Sequence, residues 1–545
     1  MVTYPSRLIQ FECPKAGNET SEGEGMDWAQ GYVTDLHYLT SFHNALAPDH
    51  LRCVQLMSGY RPLPADRPFR CLELGAGSGV GLSIIAAANP LSEFVAVDYN
   101  PGHIASGRAF VERAGLTNIT LLEADFADLA EIGSKALGQF DYIICHGVYS
   151  WITPQLRQCV IRVLDQCAAP GALVFFGYNS LPGWTLVQPF QRLISAFAAQ
   201  AEGRSDERLK TALAKVKGLA QSNAKFIDFD ALPSTLRPNF DEIENTSASE
   251  LRYLAHEYVS ENWTPMFHLD VARDLAAAKL TFVGPVSLTD HFPELVATEE
   301  QRALLQQFSP GPLREQVKDY FSPQMYRRDV YARGATPISD HERSERLREI
   351  HLCLNQPVEK VSYEISVRIG KVTVPEKNYR PVVEFLSDGS ASIGAICAHL
   401  ATCNIELSPE EVFGVMVGSG QATPLIRPAA ETDADLLKFN RAIAEFALTD
   451  LSARHLAIAG RCIGNGLPLS RTEFVLYDLL AAMDEPKITP DLAEQLRTAL
   501  HTHGERVVEG DKVVEDEARE TEILRTHLND DGDAKIKYWK QLGAI

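Results

Sequence analysis

The sequence predicts an α/β protein: a doubly wound parallel sheet carrying a helical insertion, followed by a C-terminal α+β unit. Three observations predict it. Short apolar runs alternate with helical patterns between residues 69 and 179, a glycine-rich turn follows the first run directly, and an acid stands at the end of each of the first three.

Taken in order, residues 69–74 read as a buried strand and 82–88 as the helix beyond the glycine turn. Residues 94–98 form the second strand and 104–114 its helix, with further strands at 119–122, 140–145 and 171–178. Strands that alternate with helices imply right-handed crossovers and hence a parallel sheet. From 187 to about 263 the period becomes helical, at 191–201 and 206–219. A helix over 269–279 then leads to apolar stretches at 280–284 and 329–332, expected to be the last strands of the same sheet. The helical region is therefore an insertion.

After residue 335 a new unit begins. Tyr363, Ile365, Val367 and Ile369 alternate with polar residues, the period of a half-buried strand. Helical patterns follow at 379–387, 393–400 and 409–416, an order that resembles a winged helix, with more helix at 436–447 and 473–483. The charged tail 503–533 reads as solvent-facing helix or disorder. The expected domains are a helical cap (1–68), a sheet core (69–186), a helical insertion (187–264), completion of the sheet (265–335) and a C-terminal domain (336–545).

Composition narrows the function. With 72 acidic against 51 basic side chains, the net charge is -21, which repels phosphate backbones and disfavours nucleic acid as a partner. No apolar run approaches the roughly 20 residues that span a bilayer, and the first residues show no secretory signal, so a cytoplasmic protein without a membrane partner is expected. None of the ten cysteines is spaced C-x-x-C. They read as buried hydrophobes in a reducing compartment, and no metal site is expected.

The chemistry centres on Glu73-Leu74-Gly75-Ala76-Gly77-Ser78-Gly79. Glycines there let the turn take unusual backbone angles and let a ligand approach the main chain. The third glycine of G-x-G-x-x-G is missing, and no Gly-Lys-Ser/Thr follows. Asp98 closes the second strand about 20 residues on, where a carboxylate can accept from both hydroxyls of a ribose. Asp125 and Phe126 end the third strand region, an acid and a ring side by side that suit the amine and face of an adenine. Three acids at the carboxyl edge of successive strands point to an adenosine ligand.

These residues resemble the S-adenosylmethionine-binding core of class I methyltransferases, whose fold is Rossmann-like. A narrower resemblance, to bacterial methyltransferases carrying a methyltransferase regulatory domain, lies in Gly31-Tyr32-Val33-Thr34-Asp35 with Tyr38 and Phe42, and in His146-Gly147-Val148-Tyr149-Ser150-Trp151. It continues in Tyr178-Asn179-Ser180-Leu181-Pro182-Gly183-Trp184, in Tyr253-Leu254-Ala255-His256-Glu257-Tyr258 with Trp263, Pro265 and Asp270, and in Arg327-Arg328-Asp329-Val330. That group includes rickettsial lysine methyltransferases of outer-membrane proteins. The likeness spans about residues 30–335, whereas 10–27 do not match the group's proline-rich leader.

The resemblance implies S-adenosylmethionine as cofactor, with Asp98 on its ribose, Asp125 on its adenine, and the turn Gly75, Ala76, Gly77 and Gly79 beneath its methionine part. Glu73, Tyr99, Phe126, His146 and Tyr38 complete the expected cofactor set. Methyl transfer is an in-line displacement governed by positioning, and aromatic faces can stabilise a sulfonium. Tyr149 and Trp151 are therefore expected at the methyl, with His146 as the nearest base, and Tyr178, Asn179 and Trp184 on the acceptor side. The Asn-Pro-Pro-aromatic signature of enzymes acting on planar nitrogens is absent. By resemblance the acceptor is a protein side-chain amine. A small-molecule methyltransferase with the insertion as lid, and a non-catalytic regulator that binds S-adenosylmethionine, remain as alternatives, and a homodimer stays open.

Overall fold

The computed structural model describes residues 33, 35–36, 39–222, 224, 248–427, 433–450, 452–510 and 512–545. Tyr38, expected at the cofactor, lies outside the described residues, as does most of the expected N-terminal cap. The described part of that cap includes helix α1 (Pro48–Met57), which opens on a proline whose missing N–H a first turn does not need.

The central sheet forms as the apolar runs dictate. Strand β1 (Arg70–Leu74) is followed by α2 (Val80–Ala88), β2 (Glu93–Asp98), α3 (Pro101–Ala114) and β3 (Ile119–Glu123). Then come α4 (Phe126–Leu137), β4 (Phe140–Cys145), α5 (Pro154–Cys167) and the long β5 (Ala168–Leu181). Cys71, Leu72, Leu74, Ile143 and Ile144 have no exposed surface, so the central strands are apolar on both faces, as a sheet covered by helices requires. Helix starts are set by side chains: Asn100 accepts from the N–H groups of Gly102 and His103, and Thr153 accepts from that of Leu156.

Helices α6 (Gln188–Ala198), α7 (Ser205–Gln221) and α8 (Ala248–Val259) make up the described part of the insertion. They enclose a core of their own, including Phe190, Leu213, Ala255 and Tyr258. The chain then returns through β6 (Met266–Phe267), α9 (His268–Ala276), β7 (Thr281–Pro285) and β8 (Tyr326–Ala332). The sheet order is β3-β2-β1-β4-β5-β8-β7, with β6 paired to β5 off this path. Both late stretches join the sheet as expected. Only β8 runs against its neighbours, pairing antiparallel with β5 and β7.

The expected strand 363–369 is shorter than its alternation. It closes at Val367 into a hairpin, Glu364–Val367 with Gly370–Thr373, because Gly370 adopts φ 119°. Ile369 consequently sits in the turn, 42% exposed. A three-stranded antiparallel sheet, Ala391–Ser392, His351–Leu354 and Ala422–Leu425, packs with helices Glu376–Phe385, Ile393–Thr402 and Pro409–Gly418. The charged tail is ordered as the helix Glu517–Gln541, which buries Leu524, Leu528, Ile536 and Trp539.

One apolar core runs from the sheet through α2 and α3 into the C-terminal elements. The Phe110 ring on α3 meets Phe439 and Phe446 edge-on at centroid distances of 6.0 and 5.4 Å. A side chain at Gly466 would stand 2.7 Å from both Ile84 and Phe42, so this glycine lets the C-terminal hairpin lie directly on α2. No helix among the described residues is long and apolar enough to cross a membrane.

Candidate active site

At the carboxyl edge of the sheet lies a cavity of about 570 Å³, within the roughly 300–1,000 Å³ of ordinary cofactor sites. Its floor is the glycine turn. Gly75, Gly77 and Gly79 adopt φ 72°, 57° and 68°, angles at which any other side chain is strained. A Cβ on Gly75 would also stand 2.3 Å from Val148, whereas one on Gly77 would meet nothing within 4 Å. Gly75, Ala76 and Gly77 line the cavity; Gly79 does not, and instead opens α2.

Asp98 fixes this floor. Its Oδ2 accepts from the Gly77 N–H at 2.8 Å, and its Oδ1 accepts from the Asn100 N–H at 2.9 Å with His103 Nδ1 at 3.3 Å. The carboxylate is 8% exposed and lines the cavity beside Tyr99. Asp125 and Phe126 line the adjoining wall, where Asp125 also caps α4 through the Ala127 N–H at 2.7 Å. Glu73, two residues before the turn on β1, also lines the cavity, and burial together with the nearby Asp98 charge pushes its carboxyl up to about 8.

The residues beyond β4 divide. His146 and Trp151 line the cavity. The His146 ring lies 4.7 Å from that of His43, and burial, reinforced by His43 and Arg328, lowers it to about 3. A neutral imidazole that weakly basic cannot hold a proton near neutral pH, which argues against its expected role as base.

Four expected residues lie away from the cavity. Tyr149 has no exposed surface; its hydroxyl donates to Asp274 at 3.0 Å and its ring packs on Phe176. Tyr178 is equally buried, donating to Asp329 Oδ2 at 3.1 Å with His268 Nδ1 at 3.0 Å. Asp329 in turn binds Arg327, which reaches Asp319, so this tyrosine belongs to an ionic cluster under the sheet edge. Asn179 donates its N–H to Ser150 Oγ, and Trp184 packs edge-on against Trp263 in the core of the insertion. The aromatics expected as walls therefore pack elsewhere: Tyr149 and Tyr178 between the sheet and α9, and Trp184 in the core of the insertion.

A first prediction follows from Tyr149. Tyr149→Phe should leave ligand affinity and turnover within about twofold while costing about 1 kcal/mol of stability for the lost hydrogen bond. Thermal melts and steady-state rates check it, and a large loss of turnover at unchanged stability would return the hydroxyl to the chemistry.

The cavity also has walls that sequence reasoning missed. Thr40, Ser41 and His43 close one side; Thr449, Asp450 and Ser452 come from the C-terminal unit; Arg252, His256, Glu257 and Asn262 come from α8 and the loop after it. Burial lowers His256 to about 4, with His103 adding to it, and raises Glu257 to about 7 against the hydrogen bond from Tyr253. Among the described residues no group of three or more His, Cys, Asp and Glu side chains could hold a metal ion.

Residues 72–174 match the model of a methyltransferase domain, and residues 250–333 match that of a "predicted methyltransferase regulatory domain". An uncharacterized protein of Synechocystis is 28% identical over 507 residues, 92% of this chain and 96% of its own. An uncharacterized protein of Rickettsia prowazekii is 30% identical over 226 residues, 41% of this chain and 84% of its own. Among solved structures, PKMT2 from Rickettsia typhi in complex with AdoHcy superposes with a TM-score of 0.67 at 17% identity, covering 93% of this chain and 99% of that one.

Proposed function

The chain belongs to the S-adenosylmethionine-dependent methyltransferases that carry a methyltransferase regulatory domain, and on that premise we propose that it methylates the side-chain amine of a lysine in a protein. One observation carries the reading: the cavity sets the buried carboxyls Glu73 and Asp98 and the half-buried Glu257 among histidines that desolvation holds neutral. Such a lining suits cationic reactants. The net charge of -21 likewise favours a basic macromolecular acceptor over an anionic one.

The residues present fit the cofactor. Gly77 leaves open space where a side chain would project, and two neighbouring buried acids, Glu73 and Asp98, are matched by a ligand bearing positive charge. Asp98 would hold the ribose, Asp125 and Phe126 the adenine, Tyr99 would pack beside them, and the turn from Gly75 would support the methionine part with Glu73 two residues before it. When bound, S-adenosylmethionine supplies an electrophilic methyl on a sulfonium. The protein's part is to bind, to exclude water and to aim the acceptor, with Trp151 and the neutral His146 lining the same cavity. The acceptor wall falls to α8 and the loop after it, in place of Tyr178, Asn179 and Trp184.

Calorimetric titration with S-adenosylmethionine and S-adenosylhomocysteine, against ATP and NAD as controls, should show selective binding of the first two. Incubation of the protein and tritiated S-adenosylmethionine with a bacterial extract should then place label in protein, recovered as methyllysine after hydrolysis. Label confined to small molecules would transfer the reading to a small-molecule acceptor. Tight binding without transfer to either fraction would make the chain a cofactor-binding regulator.

A further inference from the structure

We propose that Glu257, on helix α8 of the regulatory segment, is the carboxylate that receives the acceptor amine and takes its proton. The inference deepens the lysine reading and rests on it. Three of the other acids lining the cavity have structural work, and the fourth, Glu73, lies near the end of β1 beside Asp98, on the side of the proposed cofactor. Asp98 holds the N–H groups of Gly77 and Asn100, and Asp125 caps α4. Asp450 accepts from the Ser452 N–H at 2.7 Å and from its hydroxyl at 2.5 Å. Glu257 instead faces the cavity with a neutral hydroxyl, Tyr253, as its hydrogen-bond partner one helical turn away.

The histidines offer no alternative base. Burial lowers His146 and His256, partial desolvation lowers the otherwise exposed His43, whose Nε2 lies 3.2 Å from Ser41 Oγ, and His103 is engaged with Asp98. Glu257 therefore meets Arg252, Tyr253, His256 and Tyr258 on its own helix, and across the cavity Glu73, Asp98, Asp125, His43, His103, His146 and Asp450. Burial holds the carboxyl up to about 7. The same desolvation lowers a lysine from its free value of about 10.4, so donor and acceptor of the proton converge. The ammonium enters as an ion pair with the Glu257 carboxylate, and one proton passes from nitrogen to a carboxylate oxygen. That leaves a neutral amine whose lone pair forms the N–CH3 bond as the S–CH3 bond breaks with its electron pair kept by sulfur. Glu257 gives its proton to solvent when the methylammonium product leaves.

Glu257→Gln preserves size and a partner for Tyr253 while removing the charge. The full chain loaded with S-adenosylhomocysteine is titrated with n-butylamine, a mimic of the lysine tip. The Gln variant should bind it about 10-fold or more weakly, with affinity for S-adenosylhomocysteine and the thermal melt unchanged. Equal butylamine binding overturns the proposal, as does a variant that loses S-adenosylhomocysteine in proportion. With casein as acceptor, kcat should fall about 100-fold, the rise of kcat/KM through about pH 7 should vanish, and Glu257→Asp should restore part of both. Lysine methylation undiminished in Glu257→Gln sinks Glu257 and leaves the lysine reading standing. Wild-type protein that labels hydroxyl or carboxyl acceptors but no lysine sinks that reading instead, and butylamine binding still decides Glu257.

Discussion

Ending the chain after residue 340 should abolish cofactor binding and yield aggregated protein. The sequence suggested a separate domain beginning near 336, yet the structure builds one wall of the cavity from beyond it, at Thr449, Asp450 and Ser452. Thr40 is held there like a rung: its N–H donates to Ser452 O at 2.9 Å, and its carbonyl accepts from the Arg454 N–H at 2.8 Å. The Thr40 hydroxyl lies 3.2 Å from that of Ser452 and 3.5 Å from that of Ser78 in the glycine turn. Removing the C-terminal unit also strips the cover from α2 and α3, where Ile84, Ile85 and Phe110 are at most 2% exposed. Each such side chain loses about 1.5–3 kcal/mol of burial. A few of them exhaust the roughly 5–15 kcal/mol by which a domain is stable. Size-exclusion chromatography and calorimetry with S-adenosylmethionine test this. A monomeric truncated protein that binds normally would restore the boundary at 336 and make the C-terminal contacts incidental.

What could be read from the sequence was local. Cys71, Leu72, Leu74 and Ile143 to Cys145 are apolar because both sheet faces are covered, so the strands announce themselves. The glycine turn and Asp98 are legible because backbone geometry demands those residue types there. The acceptor wall was not legible. His256 and Glu257 are neighbours on one helix, about 100° apart, and they share a cavity only because α8 forms part of its wall. Nothing in spacing encodes that placement, nor the approach of Asp450 to a turn more than 370 residues away. Tyr149 and Tyr178 failed for the opposite reason. An aromatic after a strand looks the same whether it faces a ligand or a buried partner, and Asp274, Asp329 and His268 are distant in sequence.

Asp98→Ala should weaken S-adenosylmethionine by about 100-fold or more. Two losses combine. Hydrogen bonds from ribose hydroxyls to a carboxylate are worth about 1.5–3 kcal/mol each, and every 1.4 kcal/mol is tenfold in affinity. The glycine turn also loses the oxygens that hold the N–H groups of Gly77 and Asn100, so the floor of the site is no longer preorganised. Asp98→Asn separates the contributions. Its single oxygen can satisfy one of those N–H groups, while its amide turns a donor toward the other. It also removes the lesser of the two causes that raise Glu73, so that carboxyl should fall part of the way while burial still holds it up. If the ribose bonds dominate, 2′-deoxy and 3′-deoxy analogues of S-adenosylhomocysteine should bind wild-type protein weakly and lose little further in Asp98→Ala. If turn geometry dominates, the deoxy analogues should bind wild-type protein nearly as well as the parent and fall as steeply as it does in the mutant. Unchanged affinity for S-adenosylmethionine in Asp98→Ala, in protein with a native melt, would remove the ribose assignment. The buried carboxylate would then be a brace for the turn and no part of the ligand's recognition.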